Sequence, residues 1–225
     1  MKTIGMLGGM SWESTGLYYR LANEGVRERE GGLASASLLV RSLAFAQVRE
    51  LQLEDRWDDA EALLLAEGKA LVAAGADLVV LCTNYMHKAA GPLETGLGVP
   101  FLHLADVVAA AAPGPVVGLL GAGGTMREPF YADRLRAHGL TVLTPDEAGM
   151  DRVDRAVFDE LCRGVLSDTT RADLTAIVAA LAERGADAVA LCCTELELLL
   201  RQEDCPVPLL PSAALHVRAA LEAAR

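Results

Sequence analysis

Short, unbroken apolar runs alternate along this chain with longer runs whose apolar positions recur at helical spacing. The short runs are rich in Val, Leu and Ile and do not alternate with polar residues, the pattern of strands buried on both faces. They predict strands at Thr3–Leu7, Ala36–Arg41, Asp77–Cys82 and Val99–Leu102. A second series is predicted at Pro115–Leu120, Leu140–Leu143, Asp187–Cys192 and Val207–Leu210. Helices are predicted at Trp12–Glu28, after Ser11 as N-cap, and at Phe45–Ala74, broken near Asp55. Others are predicted at Thr125–Ala137, Glu147–Leu166, Thr170–Arg184 and Ser212–Ala224. Gly75, Gly139 and Gly185 follow helix ends, where a left-handed residue is wanted. The strand–helix alternation implies α/β architecture with parallel, doubly wound sheets.

The pattern is written twice. GADLVVLCTN at Gly75 and GADAVALCCT at Gly185 match at an offset of 110 residues. IGMLGGMSW at Ile4 resembles VGLLGAGGT at Val117, placing Tyr18 on Tyr131, and Val99-Pro100 resembles Val207-Pro208. Three landmarks in the same order predict two similar α/β halves related by a pseudo-twofold. The N-terminal half is expected over 1–112 and the C-terminal half over 115–211, with Pro113–Pro115 as hinge. The last helix, 212–225, is expected to pack back on the first half.

Composition narrows the partners. Of 225 residues, 52 % are hydrophobic and 4 % aromatic, enough apolar content for a sizeable core. A net charge of −11, with lysine only at Lys2, Lys69 and Lys88, argues against a nucleic-acid surface. No apolar run is long enough to span a membrane. The N-terminus is too short and strand-like for a signal peptide, so a cytoplasmic location is expected. Five cysteines, an odd number, fit a reduced chain better than a disulfide framework.

Ligands of parallel sheets bind beyond the carboxyl ends of the strands. Four segments are placed there: Gly8–Ser11, Cys82–Asn84, Gly121–Thr125 and Cys192–Glu195. With the halves related by a pseudo-twofold, the loops at 83 and 193 face each other across one cleft, each opening a helix. Helix N-termini suit a carboxylate and lower a cysteine's pKa. Two proton-handling groups on opposite sides of a small molecule suggest inversion at a carbon.

These motifs, in this order, resemble the cofactor-independent aspartate/glutamate racemase family over essentially the whole chain. IGMLGGMSWEST is similar to that family's opening glycine motif. TNYMH at Thr83–His87 resembles its Cys-Asn-Thr-x-His motif, and CTE at Cys193–Glu195 resembles its second cysteine motif. The resemblance implies an amino-acid racemase with its active site in the cleft between the halves. One group removes the α-proton and the opposite group reprotonates, with no pyridoxal phosphate or metal. Cys193 then falls on the second catalytic cysteine and Thr83 on the first. Gly9, Met10, Ser11, Asn84, Tyr85, Thr125, Thr194 and Glu195 would bind substrate. A homodimer is also implied. GGMSWEST, CTN-x-MHK and DELCRG resemble a branch of the family with a Thr/Cys pair and lopsided stereochemical preference.

Thr83 departs from the family pattern. A threonine hydroxyl does not ionise near neutral pH, so it can donate a proton but is a poor base. The family's side-chain-binding Lys falls on Cys162, next to Arg163, and Arg41 has no assured counterpart. Aspartate, glutamate, homoserine and neutral amino acids therefore all stay open as substrates. Cys82 and Cys192 read as core residues, Cys162 and Cys205 as ordinary helix and loop residues. His103 and His216 read as structural. His87 reads either as a proton relay or as a structural residue bonding a nearby carbonyl. Thr83 is also a candidate N-cap. The cysteines lack zinc-site spacing. Two alternatives without catalysis remain: an α/β protein binding a small acid, or a nucleotide-binding module built on GLLGAGGTM, whose glycine pattern is incomplete.

Overall fold

The computed structural model describes residues 1–225. The first elements are β1 (Ile4–Gly8), α1 (Trp12–Glu30), β2 (Leu38–Ser42), α2 (Phe45–Leu53) and α3 (Trp57–Ala73). Next come β3 (Leu78–Leu81), a 3-10 helix (Tyr85–Ala89), α4 (Gly91–Gly96), β4 (Phe101–Leu102) and α5 (Leu104–Ala111). The second series is β5 (Val116–Leu120), α6 (Gly124–Arg127), α7 (Pro129–Ala137), β6 (Thr141–Leu143) and α8 (Glu147–Arg155). It continues with a π-helical turn (Ala156–Glu160), a 3-10 turn (Leu161–Arg163), α9 (Asp168–Glu183) and β7 (Ala188–Leu191). The chain ends with α10 (Thr194–Leu199), a 3-10 turn (Gln202–Asp204), β8 (Leu209–Pro211) and α11 (Ser212–Ala223).

The strands form two four-stranded, wholly parallel sheets, in the orders β2-β1-β3-β4 and β6-β5-β7-β8. The same order twice agrees with the duplication legible in the sequence. The chain divides into two compact units, Met1–Val107 with Ala213–Arg225, and Val108–Ser212. The division falls inside α5, ahead of the Pro-Gly-Pro segment.

In the first unit every residue of the central strands β1 and β3 is buried. One face packs on α2 and α3 through Leu7, Val48, Leu51, Leu64 and Val79. The other packs on α1 and α11 through Ile4, Tyr18, Val80, Cys82 and Val217. In the second unit Leu120, Leu191, Val153, Leu174 and Val178 build the corresponding core.

The repeated Gly-Ala-Asp has a physical role at each position. Gly75 and Gly185 have φ of 106° and 96°, which a side chain would oppose. The alanines are buried. Asp77 accepts from Thr3 N–H at 2.7 Å and Asp187 from Val116 N–H at 2.9 Å. Each aspartate thus fixes the start of the neighbouring central strand. At the other end, Cys82 N–H donates to Leu7 O at 2.9 Å and Cys192 N–H to Leu120 O at 2.7 Å. The register that presents the next residue, Thr83 or Cys193, is therefore set in the same way in both units.

All eight predicted strands occur, with ends shifted by up to two residues. The break near Asp55 occurs where that residue takes φ 56°. Two predicted helices are interrupted. The one expected over 125–137 breaks at Glu128 because Pro129 opens a new helix. The one expected over 147–166 passes at Ala156 into the π turn and ends at Gly164, which has φ 75°. No helix is long and apolar enough to cross a membrane.

Candidate active site

Central strands are the most firmly held elements of a sheet, and in both units their carboxyl ends carry the predicted site residues. In the first unit these are Gly9–Ser11 after β1 and Thr83–Tyr85 after β3, on adjacent strands.

Thr15 organises the first of these loops. The Gly9 N–H donates to Thr15 Oγ1 at 2.8 Å, and that hydroxyl donates to Ser11 O at 2.9 Å. Gly9 has φ 88°, and a Cβ there would collide with the backbone N and O of Leu43. The Ser11 hydroxyl accepts from Ser14 N–H, capping α1 as expected. Met10 is buried and packs into the core beneath α2.

After β3, Thr83 is half-buried and its N–H donates back to Leu81 O at 2.9 Å. The element that follows is a five-residue 3-10 helix starting at Tyr85, preceded by Asn84 with no side-chain cap. Thr83 is therefore not an N-cap, contrary to that expectation, and the positive end of a full α-helix is not available here. Asn84 is buried. Tyr85 meets the Trp57 ring edge-on at 5.7 Å, and the Lys88 ammonium lies 3.8 Å from the centre of that ring. The Thr83 carbonyl accepts from His87 Nδ1 at 2.7 Å.

In the second unit, Gly121–Thr125 follows β5 and Cys192–Glu195 follows β7. Gly121 lies where a Cβ would come within 3.1–3.2 Å of Thr125 and Cys192 O. Thr125 is buried. Asp154 on α8 accepts from Gly123 N–H at 2.6 Å and pairs with Arg127 at 2.6 Å, tying this loop down.

Cys193 is the N-cap residue of α10 and is partly buried. Its thiol donates to Glu195 Oε2 at 2.9 Å, and the Thr194 hydroxyl donates to the same oxygen at 3.0 Å. The expected lowering of this thiol's pKa does not occur. Burial pushes it well above the ordinary thiol range, and the Glu195 carboxylate adds to that by its charge and by holding the thiol hydrogen. The Glu195 backbone N–H does favour the thiolate, but a six-residue helix adds too little to outweigh a carboxylate in contact. Glu195 thus sits on Cys193 itself.

The other cysteines behave as the sequence suggests. Cys82 and Cys192 are buried; burial raises the Cys82 thiol far out of the physiological range and pushes Cys192 up to about 12. Arg41 is engaged by Glu67 on α3, and Arg163 is exposed, 3.8 Å from Asp159. Thr15 and Asp154 are the positioning residues that sequence reasoning passed over. Thr15 had a signal, since it lies one turn beyond an N-cap serine that follows a glycine pair.

The sequence model of the Asp/Glu/hydantoin racemase family matches residues 7–220. The chain belongs to this family. A candidate Asp/Glu racemase from Yersinia pestis is 39 % identical with a TM-score of 0.95, and the match covers 100 % of this chain and 99 % of that one. An aspartate racemase homologue from Pyrococcus horikoshii OT3 is 31 % identical with a TM-score of 0.90, over the same shares of the two chains. The glutamate racemase of Aquifex pyrophilus shares the fold, with a TM-score of 0.64 at 16 % identity over 99 % of this chain and 84 % of that one. Membership of the Asp/Glu/hydantoin racemase family makes the chain a racemase, an isomerase.

Proposed function

We propose that this member of the family racemises an amino acid without pyridoxal phosphate or metal, using Cys193 on one face of the α-carbon and Thr83 on the other. The observation that carries the reading is the Cys193 thiol held against a carboxylate at the end of β7, at the position that Thr83 occupies after β3. A thiol alone is a weak base at neutral pH; a thiol whose proton has an acceptor in contact can become one.

The proposed sequence conserves protons. Cys193 passes its hydrogen to Glu195 as the sulfur takes the α-proton, leaving a planar carbanion. The Thr83 hydroxyl protonates the opposite face. The resulting alkoxide recovers a proton from solvent, to which Glu195 releases the one it accepted. In reverse, Thr83 must act as base, and its hydroxyl has no acceptor comparable to Glu195. A general base contributes roughly 10²–10⁴-fold, so the two enantiomers should lose the α-proton at unequal rates.

Gly9, Ser11, Asn84, Tyr85, Thr125 and Thr194 complete the substrate contacts in this reading, with Met10 supporting the loop from below. A homodimer belongs to it as well, and light scattering would register its mass. The test is a panel of aspartate, glutamate, homoserine and neutral amino acids in D₂O. Loss of the α-proton signal and appearance of the opposite enantiomer are expected for at least one, with inversion and the faster of the two exchange rates lost in Cys193→Ala. No exchange from any member would reject the reading.

A further inference from the structure

Three of the chain's four histidines meet in one buried cluster of the first unit. His87 lies 4.6 Å from His103 and 6.0 Å from His216, centre to centre. The second unit has no counterpart, for the residue matching His87 at the 110-residue offset is Glu197.

The contacts fix the protonation of two of these rings. Leu104 N–H donates to His87 Nε2 at 3.2 Å, so the neutral ring carries its proton on Nδ1 and donates it to the Thr83 carbonyl at 2.7 Å. His216 Nε2–H donates to Leu102 O and its Nδ1 accepts from the Tyr18 hydroxyl, both at 2.9 Å. Ala105 N–H donates to His103 Nδ1 at 3.2 Å. All three rings thus hold the short turn between β4 and α5, and His87 alone reaches from that turn to the loop carrying Thr83.

We propose that His87 is a positioning residue for Thr83, clamping the Thr83–Asn84 peptide to the turn between β4 and α5 so that the hydroxyl is aimed without relying on its acidity. The inference rests on the racemase reading above. Its logic is the difference between the two units. The thiol of Cys193 has a carboxylate to move its proton; the hydroxyl of Thr83 has none, so its contribution depends on alignment, where misplacement by about 1 Å costs roughly a hundredfold. A histidine with both nitrogens committed and no charge is suited to holding a backbone and unsuited to relaying protons.

Two substitutions separate the clamp from general support. His87→Asn keeps a donor at the Nδ1 position and loses the acceptor for Leu104. His87→Gln reaches the Nε2 position and loses the donor to Thr83. The readouts are inversion and, separately, α-hydrogen exchange from the enantiomer that Cys193 deprotonates. Each variant breaks one end of the bridge, so we expect both His87→Gln and His87→Asn to lower inversion by about ten- to a hundredfold while exchange on the Cys193 side stays within about twofold. A parallel fall of both rates, or undiminished inversion in either variant, would overturn the clamp while leaving wild-type racemisation intact. If the variants do not fold, histidine ¹⁵N shifts of the wild-type protein decide. A neutral Nδ1–H ring at His87 near pH 7 supports the clamp, and an Nε2–H or charged ring overturns it whatever the activity.

Discussion

The Cys193 thiol and the Glu195 carboxylate share one hydrogen across 2.9 Å. Burial and this carboxylate keep the sulfur protonated at rest, well above the ordinary thiol range. Reactivity toward an alkylating reagent and competence in proton transfer therefore have opposite dependences on Glu195.

Glu195→Gln removes the negative charge and the proton acceptor together. The Cys193 pKa falls, so alkylation by iodoacetamide at pH 8 speeds up, followed by peptide mass mapping to separate it from exposed Cys162. Racemisation slows by roughly 10²-fold or more as the acceptor is lost. Faster alkylation with unchanged turnover would show that Glu195 only restrains the thiol.

Thr83→Cys places a thiol where the hydroxyl stands. The rates from the two enantiomers should approach each other, mostly through the slower one rising. An unchanged ratio, measured by chiral chromatography from each enantiomer, would remove Thr83 from the reaction.

Stability should fall as the solution is acidified through the histidine range. Burial holds His87 well below its ordinary value, with His103 and His216 adding to the effect, and burial takes His216 down to about 4. In the unfolded chain both titrate near 6.5. Between about pH 6.5 and 4 the unfolded state binds more protons, so the stabilisation is complete above that window and lost as pH drops through it. Each ring adds a slope of up to about 1.4 kcal/mol per pH unit. Urea unfolding at pH 7.5, 6 and 5 measures it, and His216→Gln should give a shallower slope. A flat profile would contradict neutral burial.

Gly9→Ala should destabilise, since it combines backbone strain of about 1–3 kcal/mol with overpacking of about 1–3 kcal/mol against the Leu43 backbone. Gly16→Ala, on the exposed face of α1 with nothing within 4 Å of the new methyl, should stabilise by roughly 0.5–1 kcal/mol. Urea midpoints distinguish the two. Equal effects would mean that the loop after β1 relaxes freely.

Much of this was legible in sequence because it depends on local pattern. The strands read as unbroken apolar runs, and Gly75, Gly139 and Gly185 stop helices where a positive φ is needed. Thr83 and Cys193 stand out as candidates because each follows a duplicated strand end. What stayed hidden depends on contacts. The sequence placed Cys193 at a helix start, which favours a thiolate. Only the structure shows the Glu195 side chain turned back two residues to oppose it. His87 is 17 residues from Leu104, and Tyr18 is 198 from His216. No periodicity links them. The break before Pro129 follows from the restriction a proline puts on the residue ahead of it, which helical spacing of apolar positions does not register.

In the proposed racemisation two unlike groups, Cys193 and Thr83, work on opposite faces of one α-carbon. Its most direct measurement is the rate of α-hydrogen exchange in D₂O from each pure enantiomer of the substrate. Exchange is expected from both with clearly unequal rates, the faster one lost in Cys193→Ala. Equal rates from the two enantiomers of the wild-type protein would contradict it.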